Sequence, residues 1–401
     1  MSVAVYRVML LFVAVLLLAV GRYLTPESFH LKGSDEFYYL QYAQHIADNG
    51  ARGFQDLVQW YAHSEENRYH PSPVRFAYVS LAALLVKIFG PSYSILVCIS
   101  YASLLAFCAV CFYYARKLIS DEFAVCFLLI LCSSPLTLGM GCVALSDSFL
   151  NLLWGCSVWA FMDYIHKRSP GKMALLIVFL ALSILTKESS VLLLGFVTVF
   201  ILLARFFKIP VIYKDLIPIC GIPVAIVVLV YLTVLGGFAN FSIFVHSLYL
   251  THFVDQANAY ALDFSGGPWF RYFVDFMLLS PVVTLIAVGY AGHLLLERSR
   301  EWKHMFFLTY FAVIYIPLSL LQHTKVVRFV INLEMVLALF CAWAVLEFFK
   351  KDIQKENWGG ALLTLLAISA VSFSSFFKLF AVASMLDPIT YHLVQIQGFI
   401  P

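Results

Sequence analysis

The sequence predicts an all-α protein that crosses a membrane many times, and three observations carry that prediction. Of its 401 residues, 62% are hydrophobic and only 12% charged, where an ordinary soluble domain is about one-quarter charged. Apolar runs near the length of a spanning helix recur along the chain, which has a mean hydropathy of +0.88. Lys and Arg gather in clusters between those runs, as they do on the cytoplasmic side of membrane proteins. Aromatic residues reach 16%, which suits interfacial belts and lipid-facing surfaces. The formal net charge of +3 says little about partners, and no nucleic-acid partner is assigned. The nine cysteines fall nearly all within apolar runs, where a thiol behaves as a small hydrophobe. Neither a disulfide framework nor a zinc site follows from them, the C-x-x-C pair Cys108 and Cys111 included.

Residues 5–22 are long and apolar enough to span, and with no clear cleavage site after them they read as a retained first helix. Residues 23–70 are the most polar stretch of the chain, a loop of short, partly amphipathic helices outside the membrane. His70-Pro71-Ser72-Pro73-Val74-Arg75 follows, and then a rather short apolar segment over 74–89. The basic clusters fix its place. Arg116/Lys117, His166 to Lys172, Arg205 to Lys214, Arg298 to Lys303 and Lys350 to Lys355 are separated by lengths that fit two spans each. If 74–89 is re-entrant or interfacial and does not cross, all five face the cytoplasm. About eleven spans result: 5–22, 92–115, 122–141, 147–165, 173–187, 189–205, 215–235, 271–296, 305–322, 328–349 and 359–380. The organisation expected is one integral membrane domain over 1–401, with 23–91 as an external catalytic loop and 236–270 as a second external loop.

This topology collects polar residues on the non-cytoplasmic face: Asp35-Glu36, the turn holding Asp147, the turn Lys187-Glu188, the loop from Gly236 to Arg271, and His323 to Arg328. Ionisable groups at membrane depth are expensive and mark functional sites by default. Carboxylates can act as a general base or as cation ligands, while Lys and Arg at the mouth of an apolar cavity suit an anion, most simply a phosphate. A lipid phosphate fits. Its polyisoprenoid tail would lie along apolar helices while its headgroup met Arg75, Lys325 and Arg328, where partial desolvation strengthens each contact.

The order of features resembles the GT-C glycosyltransferases. The first span is followed by Asp35-Glu36, then Tyr38-Tyr39 and an Ala-containing helix, then the His-Pro-x-Pro segment and an apolar stretch ending Phe89-Gly90. The segments YYARKLIS, SSPLTL, ALSDSFL, ALSILTKESSVLLL and KVVRFVINLEMVLALF continue the series up to about Phe348. The likeness is to the branch holding the protein O-mannosyltransferases and the lipid A aminoarabinose transferases. The resemblance implies a GT-C-like fold and transfer of a sugar, with inversion, from a polyprenyl-phosphate-linked donor. The acceptor, whether lipid, glycan or protein, is not disclosed. It further implies that Asp35 is the catalytic base, that Glu36 and Asp147 line the sugar or acceptor pocket, and that Arg75, Arg328, Lys325 and Lys187 contact the donor phosphate; Tyr39 is a further pocket candidate, and His323, close to Lys325 and Arg328, a further phosphate candidate. A bacterial inner membrane, with the active site facing the periplasm, is the expected location. The chain departs from the family in reading Pro71-Ser72-Pro73 where two prolines are often adjacent. It also lacks an Arg near Ser92-Tyr93, and it carries Glu334 where Pro is common.

Plainer readings stand beside these. Ser34 can cap a helix whose first turn holds the two acids, Lys187-Glu188 can be an interfacial ion pair, and Arg328 can snorkel. His70, His45, His63, His246 and His252 read as loop histidines. Tyr38, Tyr39 and Tyr42 read as packing the loop helix onto the membrane surface. Asp35, Glu36 and Asp147 could collect a divalent cation, but no metal is assigned and no other cofactor is called for. A transporter or lipid flippase would show internal repeats and charge deep in its spans. An O-antigen ligase or polymerase should show a late external loop rich in Arg and His. The sequence favours neither.

Overall fold

The computed structural model describes residues 3–25, 34–64, 66–204, 206, 209, 213–242, 245, 266–297, 301–321, 325–383 and 388–389. Among them there is no strand. The helices are α1 (Val3–Leu24), α2 (Asp35–Asn49), α3 (Ala51–His63), α4 (Phe76–Phe89), α5 (Tyr93–Leu118), α6 (Asp121–Cys132), α7 (Pro135–Gly141), α8 (Asp147–His166), α9 (Pro170–Thr186), α10 (Val191–Leu203) and α11 (Leu216–Val234). After the expected second loop come α12 (Arg271–Leu279), α13 (Pro281–Leu296), α14 (Trp302–Leu320), α15 (Ile331–Phe348), α16 (Lys350–Gln354) and α17 (Gly359–Phe376).

Six of the described helical stretches are long and apolar enough to cross a membrane: Ala4–Leu24, Tyr93–Leu118, Tyr213–Val234, Trp302–Leu320, Val327–Phe348 and Gly359–Val382. Asp121–Cys132 and Pro135–Gly141, bent by 67° at their junction, make a seventh if counted as one span. The sequence-based figure of about eleven exceeds this for local reasons. The stretch 271–296 is broken at Ser280, which Pro281 pushes out of helical backbone to φ −141° and ψ 67°. Helices α9 and α13, and the apolar stretch Glu188–Leu203, fall short of eighteen residues. Helix α8 is buried nearly all round, with Asp147, Asn151, Ser157 and Asp163 inside it. Helix α4 has fourteen residues, about 21 Å of rise against a hydrocarbon core of about 30 Å.

The chain divides into two compact units. Unit one comprises residues 1–26, 104–142 and 266–401. Here α1 packs on α6, and α15 on α13 and α6. Arg7 bridges Asp121, at 3.2 Å, and Glu122. Pro135 begins α7 after the break, and the backbone N–H groups of Leu136 and Thr137 lack helical partners, as first-turn donors must. Glu334 of α15 accepts both, at 3.2 and 2.7 Å. The acid standing where the resembled family carries Pro is therefore the cap of a broken helix.

Unit two comprises residues 27–103 and 143–265. Helices α2, α3 and α4, from the stretch expected to form the external loop, belong to this unit: α2 packs along α4 and α3, and α4 touches α9. Helix α9 in turn packs on α8 and α11. Phe54, Val58, Val74, Ile184, Leu185, Val227, Tyr231 and Leu235 form one of its apolar clusters. Gly50 joins α2 to α3 at φ +62°, a conformation that glycine adopts without the cost a Cβ imposes.

Candidate active site

The site in unit two is organised by α2. Ser34 caps the helix, its side chain accepting from the Phe37 N–H at 3.5 Å, so the capping expected for Ser34 is present. Asp35 and Glu36 then occupy the first turn, where the N-terminal end of the helix dipole favours carboxylates. Successive residues on a helix point about 100° apart, while residues three or four apart share a face. The two neighbouring acids therefore head different stripes.

The Glu36 stripe is buried. Glu36 is 3% exposed and Tyr39 is 1% exposed. The Glu36 Oε1 accepts from the backbone N–H of Ala144 at 3.0 Å. Tyr39 meets the Ser146 hydroxyl at 3.1 Å and accepts from the Arg75 guanidinium. The next residue after Ser146 is Asp147, whose Oδ1 accepts from the Lys187 ammonium at 3.0 Å, with both side chains almost wholly enclosed. The Lys187 charge thus reaches across from the end of α9 to the first turn of α8 and meets Asp147. Tyr78 stacks edge-on against Tyr39 with centroids 5.1 Å apart. Its hydroxyl, like Arg75 Nε, is buried without a hydrogen-bond partner among the described residues.

The Asp35 stripe is partly open. Asp35 and Tyr38 are half-buried, while Tyr42 is buried. The Tyr38 hydroxyl lies 2.9 Å from His70 Nε2, with the two rings stacked at 3.8 Å. Tyr42 donates to the Pro71 carbonyl at 3.0 Å and so pins the His-Pro segment to α2. Burial lowers the His70 pKa below its ordinary value, and the nearby Asp35 carboxylate opposes the shift. Burial likewise raises Tyr42, with Tyr61, Tyr38 and Asp35 adding to the rise. These tyrosines were expected on the membrane surface, but Tyr39 and Tyr42 lie inside the unit because their hydroxyls find partners there.

Unit one holds the other expected cations. Lys325, 2% exposed, donates to the Gly267 carbonyl at 2.6 Å, and Arg271 donates to that of Gly266. Burial and the Arg271 charge lower the Lys325 pKa. Arg271 itself lies 3.9 Å from Asp275. Arg328, half-buried, lies over the Phe329 ring at 5.7 Å. His323 lies outside the described residues, as do His246, His252 and most of the loop 236–270. Sequence reasoning passed over Trp60, named Arg271 only as the end of the second loop, and read His70 as a loop histidine. The chain offered one signal for His70, its place directly before a rigid Pro71-Ser72-Pro73 turn.

Glu36 is committed to a backbone N–H and Asp147 to an ammonium, and among the described residues no three His, Cys, Asp or Glu side chains are grouped to hold a metal.

The profile of the dolichyl-phosphate-mannose-protein mannosyltransferase family aligns with residues 70–234. No curated protein matches the chain. Among solved structures, ArnT from Cupriavidus metallidurans bound to undecaprenyl phosphate is similar with a TM-score of 0.62 at 15% identity, over 92% of this chain and 64% of that one. The archaeal oligosaccharyltransferase AglB from Archaeoglobus fulgidus, in complex with an inhibitory peptide and a dolichol-phosphate, is similar with a TM-score of 0.61 at 14% identity, over 94% of this chain and 56% of that one. The chain thus spans less than two thirds of the length of each. Its fold is the GT-C membrane fold, and it is an integral membrane protein.

Proposed function

We propose that this protein is an inverting glycosyltransferase that takes a sugar from a polyprenyl-phosphate-linked donor, with Asp35 as general base. One observation carries the reading: of the three expected site acids in unit two, Asp35 alone is only half-buried, while Glu36 and Asp147 are buried, Glu36 accepting from the Ala144 N–H and Asp147 from the Lys187 ammonium. The lipid phosphates in the two similar structures and the mannosyltransferase profile support the donor class.

In the proposed step the acceptor oxygen attacks the anomeric carbon, its proton passes to Asp35, and the bond from the anomeric carbon to the phosphate oxygen breaks with its electron pair. The polyprenyl phosphate leaves as the anion. The transition state has oxocarbenium character. Arg75 has an unpartnered buried Nε–H beside the site and is the cation of unit two best placed to hold the departing phosphate. Glu36, Tyr39 and Asp147 shape the pocket wall, and the Asp147 ion pair commits Lys187 to that wall. In unit one, Lys325 and Arg271 donate to the neighbouring carbonyls of Gly267 and Gly266, with the Asp275 carboxylate 3.9 Å from Arg271. The active site faces the outer side of a bacterial inner membrane in this reading.

The test is release of polyprenyl phosphate by purified protein from a panel of polyprenyl-phosphate sugars. Asp35→Asn should lower turnover by about 10²- to 10⁴-fold, the usual contribution of a general base. Undiminished turnover removes Asp35 from the role.

A further inference from the structure

The proposed transfer leaves unassigned the aromatic group at the open end of the Asp35 stripe. The indole of Trp60, 37% exposed, lies nearly parallel to the His70 ring, with centroids 6.1 Å apart and an interplanar angle of 7°. Tyr38 completes the group, stacked 3.8 Å from His70 and 6.4 Å from Trp60. The planes are braced from behind. Tyr38 hydrogen-bonds His70, Tyr42 holds the Pro71 carbonyl, and Asn67 donates to the Trp60 carbonyl at 2.6 Å. Such bracing exceeds what a residue dissolved in the lipid interface needs, since interfacial Trp is held by the bilayer boundary itself.

We propose that Trp60 and His70, backed by Tyr38, form a saccharide-stacking platform beside Asp35, so that the attacking hydroxyl belongs to a sugar-bearing acceptor. The proposal rests on the reading of Asp35 as base and adds the class of acceptor. A pyranose ring presents C–H groups on its faces and hydroxyls around its rim. It therefore needs a flat aromatic surface edged by polar groups. The exposed Trp60 indole, held parallel to the His70 ring, supplies the surface, and the Asp35 carboxylate supplies the polar edge. An acceptor peptide in extended form would instead seek unpaired backbone donors and acceptors along a strand edge. The platform offers none of that kind: Trp60 is inside helix α3, and the His70 N–H donates to the Asn67 carbonyl at 3.2 Å. Asp35, at the head of the same helical stripe as Tyr38, is then placed to take the proton of a hydroxyl on the stacked ring.

The experiment measures binding without donor, on full-length protein in a detergent whose headgroup is not a sugar. The probes are cellobiose, its amino-sugar counterpart chitobiose, and a Ser/Thr-containing tripeptide, with Kd read by saturation-transfer NMR. Wild type should bind at least one disaccharide, Trp60→Ala should raise that Kd about three- to tenfold, and Trp60→Phe should recover part of the loss. The tripeptide should show no dependence on Trp60. Equal Kd values for wild type and Trp60→Ala overturn the platform, as do failure of wild type to bind either disaccharide and tripeptide binding that depends on Trp60. Because no turnover is measured, the Asp35→Asn result and this one can fail separately.

Discussion

Replacing Lys187 by Met separates a structural charge from a substrate-binding one. The Lys187 ammonium and the Asp147 carboxylate lie 3.0 Å apart with side chains 5% and 2% exposed. At an effective dielectric of about 20, two unit charges at that distance attract by roughly 5–6 kcal/mol before desolvation is counted. Removing the ammonium leaves a buried carboxylate without its counter-ion, a loss of about 3–5 kcal/mol. Asp147 also sits in the first turn of α8, where the helix dipole softens the loss, so the lower end of the range is expected. Asp147→Asn in the Met background removes the stranded charge and should restore about 2 kcal/mol or more. The assay is a double-mutant cycle on unfolding of the purified protein in detergent. A double variant no more stable than Lys187→Met alone would refute the reasoning. If Lys187 also holds donor phosphate, the restored double variant will still show a raised KM for the donor.

Three further outcomes follow from the same structure. Glu36→Gln keeps an oxygen for the Ala144 N–H and should hold turnover within about tenfold of wild type, far from the loss expected at Asp35; parallel donor-turnover assays on the two variants make the comparison. Glu334→Leu strands the Leu136 and Thr137 N–H groups in an apolar interior at about 1–3 kcal/mol each, so its melting temperature should fall, and that of Glu334→Gln should fall less. Burial lowers the folded-state pKa of His70 from its ordinary 6.5, so below about pH 6.5 the unfolded chain binds the proton more readily than the folded one. Stability from this group is present above that pH and is lost as pH falls; His70→Asn should flatten the stability profile between about pH 5 and 7, while an unchanged profile would show that His70 does not titrate in the transition.

Much of the membrane architecture was legible because it depends on properties that are local and additive. Hydrophobic length predicted the helices that became Ala4–Leu24, Tyr93–Leu118 and Val327–Phe348. Ser34 followed by two acids predicted the start of α2. In two places a single residue interrupts an expected span: Pro135 and Pro281 break apolar runs that hydropathy reads as continuous. The meaning of Glu334 was hidden for a related reason. An acid in an apolar span signals a partner, but that partner, a helix end about two hundred residues earlier, leaves no local trace.

The candidate site shows the same division. From the sequence alone came the class of protein and the expectation that Asp35-Glu36, Asp147, Lys187 and Arg75 would matter, because charge is rare in so apolar a chain and each instance stands out. The tertiary structure decided which charge meets which. It gave Lys187 to Asp147, Glu36 to Ala144, and Arg75 to Tyr39. It also set Asp35 apart, at the open end of a stripe with Tyr38, His70 and Trp60. Two acids adjacent in sequence are alike to any reading of composition or spacing, whereas the 100° turn between them on a helix sends one into the interior and leaves the other only half-buried.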